Sequence, residues 1–230
     1  MSEGREYVLC TSKDASFCVA CELDGKLNCR YDEELVKCFR RSHFPFRTLQ
    51  FLVVGIASFL VDIWWVFILF AAVIVLNFTV IETYYLCRHC PFYEKEGVTL
   101  ECITLKGLPK IWKFDLKPMG RTEKISMSLV GGFIDVIPIL IAAYATWVLF
   151  STGADLILTI TMLGLTLVSL IAAGYLEKFL RENYCMKCVN LSCMMNKVPE
   201  ELKEEYLRKN PEMLKLWESC GYVLGDKSIE

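Results

Sequence analysis

Two stretches of this chain, Thr48 to Tyr85 and Ile125 to Glu177, hold no lysine or arginine and are dominated by apolar residues. Backbone N–H and C=O groups inside a bilayer must be satisfied within their own segment, so such stretches fold as helix. One crossing needs roughly 20 residues, and both stretches are longer. The second divides readily: a helix from about Ser126 to Phe150, a turn at Ser151-Thr152-Gly153-Ala154-Asp155, and a return from about Leu156 to Leu176. The first has no Gly or Pro at its centre. It reads as one long tilted helix or as two short ones turning near Asp62.

Basic residues choose between these, because positive charge favours the cytoplasmic side. Lys37, Arg40, Arg41 and Arg47 precede the first stretch; Arg88 and the lysines from Lys106 to Lys124 follow it; Lys178, Arg181 and Lys187 follow the second. All three flanks are then cytoplasmic, and each stretch crosses an even number of times. Trp64 and Trp65 suit the opposite interface. The expected spans are 46–62, 65–85, 126–150 and 156–176. The expected fold class is an all-α membrane protein, with four transmembrane helices in two hairpins and small cytoplasmic Cys-rich metal-binding modules. Its parts are a Cys-rich module (1–45), hairpin 1 (46–85), a Cys-rich basic loop (86–124), hairpin 2 (125–176) and a Cys-rich helical tail (177–230). The tail reads as helical from Val198 to Trp217, broken at Asn210-Pro211. The expected location is the cell (plasma) membrane, multi-pass, with both termini cytoplasmic. Met1 to Arg5 has no apolar stretch behind it and is not expected to be a signal peptide.

Outside the spans one pattern occurs three times: Cys18-x2-Cys21-x7-Cys29, Cys87-x2-Cys90-x11-Cys102 and Cys185-x2-Cys188-x4-Cys193. Two thiolates two residues apart on a tight turn can grip one ion, and a third closes the loop. The cytoplasm keeps thiols reduced, which disfavours a disulfide framework. Zinc needs a fourth ligand. Cys10 or Cys38 completes the first triplet, His43 or Cys38 the second, and Cys220 the third. His89, inside its own C-x-x-C pair, is a poor fourth ligand there. Iron–sulfur is the alternative, since Cys90-Pro91 and the third triplet approach ferredoxin-type loops without matching their four-cysteine run. Thiol exchange lacks a surrounding βαβ pattern, and some cysteines could simply pack. Zinc is favoured because its knuckles tolerate variable gaps.

Asp135 is the telling residue inside the spans, beside Gly131, Gly132 and Pro138. A carboxylate there is costly unless paired, protonated or hydrated. The choice is between proton, quinol or cation handling and a structural hydrogen bond to Asn77, Thr79 or Thr161. Lys110, Trp112 and Lys113 interleave cations with large apolar groups, as a segment in the headgroup region does. The partners expected are the bilayer, with anionic lipid at the cytoplasmic face, and a soluble or membrane protein.

The runs Cys87-Arg88-His89-Cys90-Pro91-Phe92-Tyr93, Gly107-Leu108-Pro109-Lys110-Ile111-Trp112 and Cys185-Met186-Lys187-Cys188-Val189-Asn190-Leu191-Ser192-Cys193 resemble a family of cysteine-rich multi-span membrane proteins from anaerobic archaea and bacteria. That resemblance implies a recurring architecture and no reaction. In layout alone the chain is also similar to membrane ferredoxin-type quinol dehydrogenases, whose four-cysteine runs it lacks.

The expected function is a membrane scaffold with cysteine-ligated metal, zinc favoured, docking a soluble partner. The alternative is an iron–sulfur subunit exchanging electrons with quinone and using Asp135 for protons. A stand-alone enzyme is not expected; if catalytic, the chain is a redox subunit. Only two histidines are present and neither sits in a nucleophile motif. No phosphate-binding or dinucleotide motif occurs. A net charge of −2, with basic groups at membrane edges, argues against nucleic acid.

Overall fold

The computed structural model describes residues 8–225. The signal-peptide expectation at Met1 to Arg5 falls outside them. Among the described residues the chain is helical, with one isolated antiparallel bridge between Thr99 and Pro109. Its α-helices are α1 (Glu33–Leu60), α2 (Trp65–Leu76), α3 (Glu82–Tyr85), α4 (Arg121–Ser151), α5 (Leu156–Asn183), α6 (Glu200–Arg208) and α7 (Pro211–Ser219). A π-helical turn, Asn77–Ile81, joins α2 to α3. Four helical stretches are long and apolar enough to cross a membrane, which fits a membrane protein.

The chain divides into two compact units. The helical unit comprises 34–81 and 126–180. The first apolar stretch turns after Leu60. Asp62 takes φ 55° there, a left-handed conformation that Asp tolerates better than most residues. The second turns at Gly153, φ 67°, and Asp155 restarts the helix by accepting the Ile157 N–H at 2.7 Å. Small side chains allow close packing: Val53 and Ala57 of α1, Ala142 and Ala145 of α4, and Met162 of α5 share one buried cluster. Gly55 lets the Phe67 ring approach, and a Cβ there would stand 3.5 Å from it. Phe59, Phe150, Ile157 and Ile171 point outward and exposed, as acyl chains require.

Helix α1 starts at Glu33, well before the span expected from residue 46. Cys38 and His43, expected in the 1–45 module, therefore lie on the same long apolar helix as Arg47.

Among the described residues the second unit gathers 8–33, 82–125 and 181–225. Its buried core draws on all three: Leu9, Leu23 and Leu27; Phe92 and Leu116; Val189, Leu191, Val198, Tyr206, Leu207, Met213 and Trp217. One core thus spans all three segments, since no single segment has enough apolar surface to fold alone. The tail helices break at Asn210-Pro211 as expected, with Pro211 opening α7. Tyr222 folds back, donating to Glu200 at 2.6 Å.

Candidate functional site

Hydrogen bonds bring the three cysteine triplets together within the second unit. Cys21 N–H donates to Cys18 O at 3.0 Å and Cys90 N–H to Cys87 O at 2.9 Å, so these two C-x-x-C pairs are closed turns. The Asn190 side-chain amide, between Cys188 and Cys193, donates to Leu86 O at 3.0 Å, next to Cys87. Asn28 N–H, next to Cys29, donates to Lys187 O at 2.8 Å, and Lys187 Nζ returns a bond to Gly25 O at 3.1 Å. The first triplet is thus tied to the third, and the third to the second. Cys102 sits on a short paired loop in which Leu100 N–H meets Leu108 O at 2.8 Å.

Several sulfurs accept hydrogen bonds. Leu105 N–H donates to Cys102 Sγ at 3.2 Å, Met195 N–H to Cys193 Sγ at 3.4 Å, and Arg30 Nε to Cys18 Sγ at 3.1 Å. Backbone donors at Phe92 and Asn190 serve Cys90 and Cys188 in the same way. Donors aimed at sulfur favour its thiolate form.

The thiols fall into two electrostatic neighbourhoods. Burial, then the charges of Cys10, Cys21 and Cys18, push the Cys29 thiol up to about 12. Cys10 is raised by burial, against Lys13 and an Asn210 hydrogen bond, with Cys21 and Cys18 adding to the rise. These four make one set. Burial first and Cys188 next push Cys90 well above the ordinary thiol value, followed by Cys102 and Cys193. Burial and Cys193 raise Cys188 to about 12, with Cys185 and Cys102 contributing. Burial also lifts Cys193 to about 11, and Cys185 adds to it. Cys87 lies within reach of Cys102, Cys90 and Cys193. These six make the second set. A bound cation reverses such shifts, since a coordinated thiol is deprotonated outright.

Among the described residues no three His, Cys, Asp or Glu side chains converge closely enough to hold one ion. The donor chemistry suits a thiophilic metal. One tetrahedral zinc, with Zn–S of roughly 2.3 Å, would draw its sulfurs to about 3.8 Å from one another.

Of the candidate fourth ligands, Cys10 lies with the first triplet, its N–H bonded to Asn210 Oδ1 at 2.8 Å and its Sγ donating to Lys209 O at 3.7 Å. Cys38 is exposed on α1, in the helical unit. Cys220 is exposed at the end of α7, its sulfur 4.0 Å from the Ser219 hydroxyl. His89 is buried with both ring nitrogens engaged: Nε2 accepts from Arg88 Nε at 3.1 Å and Nδ1 stands 2.9 Å from Lys117 O. His43 Nε2 accepts from Arg47 Nε at 3.1 Å.

Tyr206 was not among the expected site residues. It is fully buried, and its hydroxyl has no hydrogen-bond partner among the described residues. Burial first, then Cys29, Cys10 and Cys90, raise it well above the ordinary phenol value. A tyrosine in a mixed-charge helix carries no signal of this.

In the helical unit Asp135 is paired, but not with the expected Asn77, Thr79 or Thr161. Arg47 Nη1 donates to Asp135 Oδ1 at 2.7 Å and to Gln50 Oε1 at 2.7 Å, and Gln50 Nε2 stands 3.4 Å from the same Asp135 oxygen. Arg47 also lies over the Phe46 and Phe78 rings, at 5.4 and 5.2 Å. Thr79 and Thr161 bond instead to carbonyls one turn back, Val75 O and Ile157 O, and the Asn77 side-chain oxygen has no partner. Arg47 and Gln50, one turn of α1, lie on the face opposite Asp135.

Trp112 is tied into the second unit. Its indole N–H donates to Thr83 Oγ1 at 3.1 Å, its ring meets Tyr84 edge-on at 4.9 Å, and its backbone exchanges bonds with the Tyr93 hydroxyl. Lys110 lies 5.8 Å over the Tyr93 ring and bonds to Lys95 O, while Ile111 and Lys113 remain exposed.

No known protein family, no curated protein and no solved structure matches the chain.

Proposed function

We propose that this chain is a membrane-anchored scaffold whose cysteine-rich unit holds thiolate-bound metal, zinc first, and presents it to a soluble protein partner. The observation that carries this reading is the set of N–H donors aimed at the sulfurs of Cys18, Cys102 and Cys193, in triplets whose Cys18–Cys21 and Cys87–Cys90 pairs are closed turns. Cys10, Cys18, Cys21 and Cys29 would hold one ion. Zinc there would supply folding energy and close that one segment on itself. Phe17 and Val19, flanking Cys18 and both largely exposed, support a partner that covers them.

A second reading, an iron–sulfur subunit exchanging electrons with quinone, is favoured because no three of the described thiols converge closely enough for one ion. A cluster holds its cysteines farther apart than one ion does, because iron and sulfide lie between them.

Elemental analysis and a visible spectrum of anaerobically purified protein separate the two. We expect zinc at about two to three equivalents per chain and no thiolate-to-iron absorbance. Stoichiometric iron with that absorbance would replace the first reading by the second, and metal-free protein would remove both.

A further inference from the structure

Helices α1 and α5 leave a groove between them on the surface of the helical unit. It holds about 270 Å³ and is lined by Pro45, Phe46 and Leu49 of α1 and by Ala172, Tyr175 and Phe179 of α5. Tyr175 is 69 % exposed and stacks on Phe179 with ring centroids 6.3 Å apart. An open apolar groove on spanning helices faces acyl chains and has room for part of one.

The groove sits where both helices pass from apolar to charged sequence. On α1 its lining reaches Ser42, and Arg40 and Arg41 come directly before it. On α5 it reaches Leu176 and Phe179, on either side of Glu177 and Lys178. Such a level is the boundary between acyl chains and headgroups, where tyrosine rings also concentrate. Arg40 and Arg41 are exposed, and neither makes an ion pair among the described residues. Arg41 lies four residues before Pro45, on the same face of α1. Glu177 and Lys178 cancel in charge, so the two arginines set the sign at the mouth of the groove.

We infer that this groove is a binding site for one anionic phospholipid, with an acyl chain between α1 and α5 and the phosphate at Arg40 and Arg41. The site is independent of the metal reading above. Basic pockets between spanning helices take anionic headgroups in this way, and a guanidinium fork matches two phosphate oxygens at once. The apolar lining alone accepts any acyl chain. The arginines add the selectivity, because each cation near the surface is worth about five-fold in affinity for anionic lipid. The tail of a neutral quinone would fit the lining and leave the arginines without a counter-charge.

The test uses the full chain in nanodiscs holding a photoreactive phosphatidylglycerol or phosphatidylcholine, each with a diazirine in its acyl chain. The unmutated protein should give phosphatidylglycerol adducts concentrated in 42–49 and 172–179, and several-fold fewer with phosphatidylcholine. Adducts spread evenly over the exposed faces of α4 and α5 would overturn the site. Equal labelling by the two lipids would overturn its anionic character. Protection of those peptides by an isoprenoid quinone, but not by unlabelled phosphatidylglycerol, would assign the groove to quinone instead. Arg40→Gln/Arg41→Gln should lower phosphatidylglycerol labelling of the groove by about five-fold per arginine. Phosphatidylcholine labelling should stay as it was, which checks that the helices still pack. Phosphatidylglycerol labelling that does not fall in that variant would overturn the proposal.

Discussion

Arg47→Ala is expected to cost this protein a large part of its stability in a bilayer. It strips the donor from Asp135 Oδ1, from Gln50 Oε1 and from His43 Nε2 together. Removing one partner of a buried pair leaves an uncompensated charge and costs about 3–5 kcal/mol. The Asp135 side chain keeps 45 % exposure within the unit, so about 2–3 kcal/mol is the better figure. Asp135→Asn keeps a carbonyl acceptor for Arg47 and should cost less than Asp135→Ala. Replacing both partners, Arg47→Met with Asp135→Leu, should recover most of the loss, because the desolvation penalty disappears with the charges. Thermal unfolding of the full chain in lipid nanodiscs measures all four. A double variant no more stable than Arg47→Ala would show that the pair is not what holds α1 to α4.

Trp217→Ala should be as damaging in the other unit. Trp217 is 5 % exposed, its indole N–H donates to Leu116 O at 3.3 Å, and its ring meets Tyr222 edge-on at 5.5 Å. Truncating a buried tryptophan costs about 3–5 kcal/mol from lost transfer energy and the cavity left behind. Because one core spans all three segments of the unit, the damage should spread. Amide hydrogen exchange should accelerate in 8–33 and 86–120 as well as in α6 and α7, with 126–180 unaffected. Acceleration confined to 200–222 would mean that the segments fold independently after all.

The fold was largely legible in the sequence. Absence of cations over Thr48–Tyr85 and Ile125–Glu177 locates the long helices, since hydropathy and backbone satisfaction are properties of contiguous sequence. Both turns could be read from local chemistry at Asp62 and Gly153. So could the break at Asn210-Pro211. The start of α1 could not. Residues 33–45 are polar and charged, and a transfer scale marks where a helix enters lipid, not where it begins. The partner of Asp135 was hidden for another reason: Arg47 counts as a basic flank in the charge pattern, and only the packing of α1 on α4 shows that it faces the carboxylate.

The sequence by itself determined which residues are chemically able to act: three C-x-x-C triplets, a lone acid among apolar residues, and the helices between them. Only the tertiary structure decided how they group. Asn190, between Cys188 and Cys193, bonds to Leu86 O beside Cys87, 104 residues away in sequence, and Asn28, beside Cys29, bonds to Lys187 O. Spacing along a chain sets which donors can share one turn. Which turns meet depends on the core that Leu9, Leu116, Val189 and Trp217 bury in common, and no local pattern encodes that core.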